Sequence, residues 1–273
     1  MEKTILITGA SSGIGRDTAK FFASKGWNVA ATMRNPQHET ELDKIEGIQV
    51  FRLDVLDQES IDSAVAGAIE AFGKIDVVLN NAGYGTAGPF EAATKAQVKR
   101  QFDTNLFGAM DVTRTVLPHF RANKSGMFIN ISSIGGLVTF PIFSLYHGTK
   151  WALEGFSESL AYEVGHLGIQ VKIVEPGGVK TDFATRSLDM LQDETITDYD
   201  AVVEKIVKIF NSPERAANYA TGTQIAEVIF EAATDGKDQL RYIAGEDAKE
   251  LWTARTELGG EGFREMIKGN FLG

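Results

Sequence analysis

The chain has 273 residues, 43% of them hydrophobic, with 27 basic against 37 acidic side chains and a formal net charge of −10. That length and composition suit one large core in a single α/β domain spanning 1–273, and the acid excess argues against a nucleic-acid surface. The lack of cysteine excludes disulfides and thiolate metal sites, the four histidines have no ligand spacing, and no apolar run approaches membrane-spanning length, so a cytoplasmic protein without metal or membrane contact is expected.

Apolar strand candidates fall at 4–8, 27–33, 48–53, 75–80, 126–132, 169–175 and 240–244, with helical patterns between almost every pair. This alternation predicts a parallel sheet of about seven strands, doubly wound with helices on both faces. Such sheets bind ligands at the carboxyl ends of their strands. The first strand runs straight into Gly9, Ala10, Ser11, Ser12, Gly13, Ile14 and Gly15, followed by a helical pattern from Arg16. Strand, glycine turn and helix form a phosphate cradle, because the backbone can approach an anion and the helix N-terminus offers free N–H groups. The spacing is Gly-x-x-x-Gly-x-Gly, so the commoner dinucleotide fingerprint does not apply, and a tight turn without a ligand remains open on this stretch alone. After the later strands come Arg34, Asp54 with Val55, the run Asn80, Asn81, Ala82 and Gly83, then Ser132 and Ser133, and Pro176, Gly177 and Gly178. The unusual residues therefore fall on one rim.

Tyr146 and Lys150 sit four apart with no helix breaker between them, which puts both on one helix face. A lysine ammonium beside a phenol favours the phenolate, lowers its pKa and makes it a usable proton-exchange group. Read alone, such a pair is more often a surface coincidence or a helix-stabilising pair.

With these residues together, the chain resembles the short-chain dehydrogenases/reductases from residue 4 to about 183. TGASSGIG matches the family's glycine motif and NNAG its structural and cofactor motif; Asn105, Ser133, Tyr146 and Lys150 match its catalytic set, and the segment Pro176 to Thr181 its nicotinamide-holding stretch. The resemblance implies a Rossmann-type fold and reversible hydride transfer between a nicotinamide cofactor and a carbonyl/alcohol pair. Tyr146 would then donate the proton, Ser133 orient the carbonyl oxygen, Lys150 hold the ribose and depress the Tyr146 pKa, and Asn105 position a water that connects Lys150 to solvent. The residues leave plainer readings open: Asn105 satisfying a helix kink, Ser133 capping its own turn, and Asp54 forming a turn. The cofactor set is Gly9, Ser11, Ser12, Gly13, Ile14, Gly15, Arg34, Asp54, Val55, Asn81, Ala82, Gly83, Tyr146, Lys150, Pro176, Gly177, Val179 and Thr181.

Enzymes that select NAD place an acid at the end of the second strand. Met33 stands there, followed by Arg34, whose guanidinium suits a 2′-phosphate, so NADP(H) is expected. Leu137, Phe140, Ile142, Phe143, Phe183, Leu188, Met190 and Leu191 suggest an apolar pocket, with no basic residue obviously placed for an anionic group and a small apolar ketone, aldehyde or alcohol as substrate. The run 188–200 reads as a lid. Beyond residue 185 the chain carries the helical AVVEKIVKIFNS and a further helix at 246–257 in place of the family's usual ending, which puts a tetramer in doubt. Helices at 103–121 and 144–166 favour a two-fold homodimer. A catalytically silent NADP(H)-binding sensor is the competing class, and the intact set of four argues against it.

Overall fold

The structure is a computed structural model that describes residues 2–181 and 187–273. Its centre is a seven-stranded sheet built from all seven runs expected from the sequence: β1 (Thr4–Ile7), β2 (Asn28–Met33), β3 (Ile48–Arg52), β4 (Val77–Asn80), β6 (Gly126–Ile131), β7 (Ile169–Pro176) and β11 (Arg241–Ala244). The order is β11-β7-β6-β4-β1-β2-β3 and every pairing is parallel. Short strands β5 (Gly85–Ala87) and β9 (Leu188–Met190) pair outside the sheet, as do β8 (Val179–Lys180) and β10 (Ala220–Thr221).

Parallel strands covered on both faces need apolar side chains at both parities. Ile5 and Ile7 of β1 join a core with Phe22, Ile225 and Ile229, from α1 (Gly13–Ser24) and the later helix Gly222–Thr234. Leu6 points the other way, to Val65, Val116 and Leu160 of α2 (Gln58–Phe72), α4 (Gly108–Asn123) and α5 (Ser144–Val164). The order reverses beside β1, where β2 lies on one side and β4 on the other. A crevice opens at such a switch point, between the loops that follow the two strands.

Two expected helices have different bounds. The pattern at 103–121 begins earlier, as α3 (Lys95–Phe102), passes through a π-helical turn at Asp103–Phe107 and continues as α4. The tail helix extends from Glu246 to Phe271, bent at Gly259, where φ is +67°. Its second half buries Phe263, Ile267 and Phe271 against Ile134, Val138 and Ile206, so the tail roofs the loop before α5 and the helix α6 (Asp200–Phe210). Among the described residues no helix is long and apolar enough to cross a membrane.

Candidate active site

The glycine turn is held by its neighbours across the crevice. The Thr8 hydroxyl accepts the N–H groups of Asn81 (2.9 Å) and Ala82 (3.0 Å), and Asn81 Nδ2 donates to the carbonyls of Thr8 (2.8 Å) and Gly9 (3.1 Å). Gly9 has φ of +70°, and a Cβ there would meet Ala82 Cα at 3.0 Å. A Cβ on Gly15 would lie 2.5 Å from both Asn81 Nδ2 and the Gly9 carbonyl oxygen. Gly15 is therefore the contact that lets α1 start this close to the turn. Ser12, at the N-cap, makes no side-chain capping bond, and the first turn of α1 carries no acid. Its free N–H groups are left for an anion.

The crevice is a cleft of about 860 Å³. Gly9, Ser11, Ser12, Gly13, Ile14, Arg34, Asp54, Val55, Asn81, Ala82, Gly83, Pro176, Gly177, Val179 and Thr181 line it, together with Ser133, Tyr146 and Lys150. Two expected residues, Gly15 and Asn105, lie behind the wall. Arg16, the other guanidinium near the turn, is bonded to Glu39 at 2.9 and 2.8 Å and to Glu41 at 2.8 Å. Arg34 is exposed on the rim and makes no ion pair among the described residues. Asp54 is a turn former, its Oδ1 accepting the Leu56 N–H at 3.1 Å, while still facing the cleft.

Ser133 opens a 3₁₀ turn at Ile134–Gly136, and its Oγ accepts the Gly135 N–H at 3.0 Å, so it caps its own turn and also hydrogen-bonds Tyr146. His147 fixes the rest of this loop. Its Nε2 accepts the Phe140 N–H (3.0 Å), so Nδ1 carries the hydrogen donated to the Gly135 carbonyl (2.7 Å), and burial pulls its pKa down to about 4. The loop also holds Ile142 at φ +64°, a left-handed position that a β-branched residue rarely occupies.

In this geometry burial outweighs any other influence on the Tyr146 phenol. Lys150 Nζ stands over the Tyr146 ring, 5.7 Å from its centroid, and donates to the Ile131 carbonyl at 2.8 Å. Burial pushes the Tyr146 phenol up, opposed by the Ser133 hydrogen bond. Burial pulls Lys150 down to about 8, opposed by the charge of Glu154.

Asn105 lies within the π turn, a feature frequent at functional sites. Its Nδ2 donates to the Tyr84 carbonyl (2.8 Å) and to Thr149 Oγ1 (3.2 Å), and its Oδ1 accepts the Tyr84 N–H (3.0 Å). Thr149 Oγ1 donates onward to the Tyr146 carbonyl at 2.8 Å. The wide turn thus aims the amide at the Tyr84 loop and at α5, away from the cleft.

At the substrate end, Phe140, Phe143 and Leu188 line the cleft as expected. Leu137 and Ile142 pack with the C-terminal helix instead, Leu191 is buried beside Ala92 and Leu145, and Met190 is off the wall. Phe183 lies outside the described residues, as does 184–186 of the segment expected to move with the lid. The start of the expected lid is β9, continued by a Leu191 N–H bond to the Ala87 carbonyl (2.8 Å), and Tyr199 donates to Glu91 (2.9 Å). Tyr84, Phe210, Tyr219 and Leu251 complete the apolar wall. The expectation of a pocket without basic groups is corrected: Arg100 sits 5.1 Å from the Tyr84 ring centroid and Arg215 4.8 Å from that of Phe210, both on the wall. Asp247, from the tail helix, accepts the Gly178 N–H at 2.7 Å and fixes the loop after β7. Sequence reading missed Arg215, Tyr219, Asp247 and Leu251 because they come from segments far from any motif, and Tyr84 and Arg100 because only the packed fold turns them to the cleft.

A doubly wound parallel sheet with a glycine cradle at its switch point and a Ser-Tyr-Lys cluster across the cleft defines a nucleotide-dependent oxidoreductase of the Rossmann type. The family model described as short chain dehydrogenase matches residues 3–192, and the chain belongs to that family of oxidoreductases. It is 41% identical over 226 residues to an uncharacterized oxidoreductase of Schizosaccharomyces pombe, covering 83% of this chain and 94% of the relative. It is 39% identical over 212 residues to a 3-ketodihydrosphingosine reductase of Bacteroides thetaiotaomicron, 77% of each chain. The structure of a short-chain dehydrogenase from Streptomyces avermitilis superposes with a TM-score of 0.81 at 35% identity, over 94% of both chains.

Proposed function

We propose that the protein reduces an apolar ketone or aldehyde to the alcohol with NADPH, reversibly. The observation that carries this reading is the hydrogen-bonded Ser133–Tyr146 pair, with Lys150 over the tyrosine ring, opposite the glycine cradle in one cleft. The relative named as a reductase of a 3-keto compound points to the same chemistry. The cradle fits a pyrophosphate because Gly9 and Gly15 leave no room for side chains and the α1 N-terminus is open. Asp54 and Val55, on the cleft wall, would flank the adenine end, and Arg34 would take the 2′-phosphate, with Met33 standing where an acid would repel it.

The cofactor supplies the hydride to the carbonyl carbon. Ser133 orients the carbonyl oxygen, and Tyr146, whose phenol is kept protonated by burial, gives that oxygen its proton, a contribution of about 10²–10⁴-fold. Lys150 holds the ribose hydroxyls and electrostatically favours the tyrosinate left behind. Asn105 acts from behind the wall, holding the Tyr84 loop and Thr149 in register with Tyr146. Residues 188–200 act as the lid; slow hydrogen exchange there in the apo protein, unchanged by ligands, would contradict it. Trp151 (44% exposed) and Tyr162 (78% exposed) make the outer face of α5 the surface for a homodimer.

The test is NADPH oxidation against a panel of apolar ketones, aldehydes and diketones, with Tyr146→Phe as the blank. Turnover that vanishes in the variant while NADPH binding survives is expected. Equal turnover in the variant would remove the mechanism, and NADPH binding without turnover on any carbonyl or alcohol would favour a sensor.

A further inference from the structure

At four-residue steps α5 carries Tyr146, Lys150, Glu154 and Glu158, which places them along one stripe of the helix. The stripe starts at the cleft and ends on Glu158, whose side chain is 41% exposed. Between them Glu154 is buried; its Oε2 accepts Arg241 Nε at 3.0 Å, and its carboxyl also meets the Ser132 hydroxyl. Glu175 of β7 is fully buried beside the backbone of Tyr242, and the same Arg241 Nε lies 3.7 Å from its Oε1. Arg241 then reaches Glu158 at 2.7 Å. Gly136 preserves the space on the other side: a Cβ there would come within 2.6 Å of Ser132 Oγ and 3.0 Å of Glu154 Oε1.

Two buried carboxyl groups sharing one guanidinium do not both ionise at little cost. The direct bond to Arg241 assigns the charge to Glu154, and Glu175, farther from the guanidinium and fully buried, keeps its proton. Burial raises the pKa of both groups, that of Glu175 to about 9. The Glu154 charge sits one helical turn from Lys150, whose ammonium has the Ile131 carbonyl as its protein hydrogen-bond acceptor. Burial draws Lys150 towards neutrality, and Glu154 opposes it. The remaining polar and charged groups on this side are Tyr146, His147 and Glu158 of α5, Ser132 after β6, and Asp247 of the tail, which is engaged by the Gly178 N–H.

We propose that Glu154 is a positioning residue that keeps Lys150 charged from the protein interior, with Glu175 as its neutral, proton-bearing partner on Arg241. The inference rests on Lys150 being part of the reductase site, and it predicts that the working pH range is set by a charge that never touches substrate or cofactor.

The test is a pH titration of Lys150 by NMR of lysine-labelled apo protein, assigned with Lys150→Arg, alongside the pH profile of kcat/KM for NADPH-dependent reduction. Glu154→Gln is expected to lower the Lys150 midpoint by about one pH unit, a tenfold loss of proton affinity, and to move the alkaline limb of the profile with it. Glu154→Asp restores the midpoint, and Glu175→Gln leaves it in place. If Glu154→Gln fails to fold, Glu154→Met serves, because it removes the same charge at similar length and should lower the same midpoint. An unmoved midpoint in the folded variant, or an equal shift in Glu175→Gln, overturns the proposal. Absent turnover in the wild type would remove the reductase reading, while the apo titration would still decide the role of Glu154.

Discussion

Replacing Glu175 with Gln should stabilise the protein by an amount that grows with pH. The Glu175 carboxyl is fully buried, and its pKa is pushed up from 4.5 to about 9, first by burial and then by the neighbouring Glu154 charge. The folded state therefore binds this proton more tightly than the unfolded chain does. The stability linked to it is fully present below the unfolded pKa of 4.5 and is lost as pH rises towards the folded pKa of about 9. At ~1.36 kcal/mol per pKa unit, the wild type loses roughly 3 kcal/mol between the unfolded pKa and pH 7. A neutral amide of the same shape loses none of it. For a chain of this size, 1 kcal/mol moves Tm by about 2–4 °C, so an advantage of roughly 6 °C at pH 7 is expected. The assay is thermal unfolding of both proteins without cofactor from pH 4 to pH 8. A Tm difference that is constant with pH, or a less stable variant at pH 7, would refute the reasoning.

Three other outcomes are expected. His147 is buried in its neutral form with its pKa drawn down to about 4, so its stability contribution is present above the unfolded value of 6.5 and lost as pH falls towards 4, about 3 kcal/mol in all. His147→Gln should flatten that acid limb in denaturant titrations; an unchanged slope would contradict the buried neutral ring. Lys172 is 1% exposed between Asp235 (2.8 Å) and Tyr242 (2.9 Å), so Lys172→Ala should cost about 3–5 kcal/mol, and Lys172→Met with Asp235→Leu far less. Equal losses for the two, by chemical denaturation, would show that the ion pair is not the cause. Met33→Asp with Arg34→Ala should reverse the ratio of kcat/KM for NADPH and NADH; an unchanged ratio would exclude Arg34 as the 2′-phosphate contact.

The inner sheet strands were legible as apolar runs because a parallel strand covered on both faces has no solvent side to encode, and the edge strand β3 was legible from Ile48, Val50 and Phe51 although Gln49 and Arg52 are exposed. The turn between β1 and α1 was legible for a related reason. Gly9 at positive φ and Gly15 against Asn81 are positions where only hydrogen fits, so the backbone geometry is written in residue type. Ser133, Tyr146 and Lys150 could be read because α5 and the loop before it place them locally, whereas the direction of the Asn105 amide depends on a π turn that periodicity does not reveal. Arg100 and Arg215 reach the cleft from separate helices, and Asp247 from a tail helix that continues past its expected end. The grouping of Glu154, Glu175 and Arg241 needs α5, β7 and β11 to pack side by side. The layers, the cradle and the grouping of Ser133, Tyr146 and Lys150 were already in the sequence, since each follows from local geometry or short spacing. Which way the Tyr146 and Lys150 pKa values move was left to the tertiary structure, because burial is the first cause of both shifts and only the packed fold sets it.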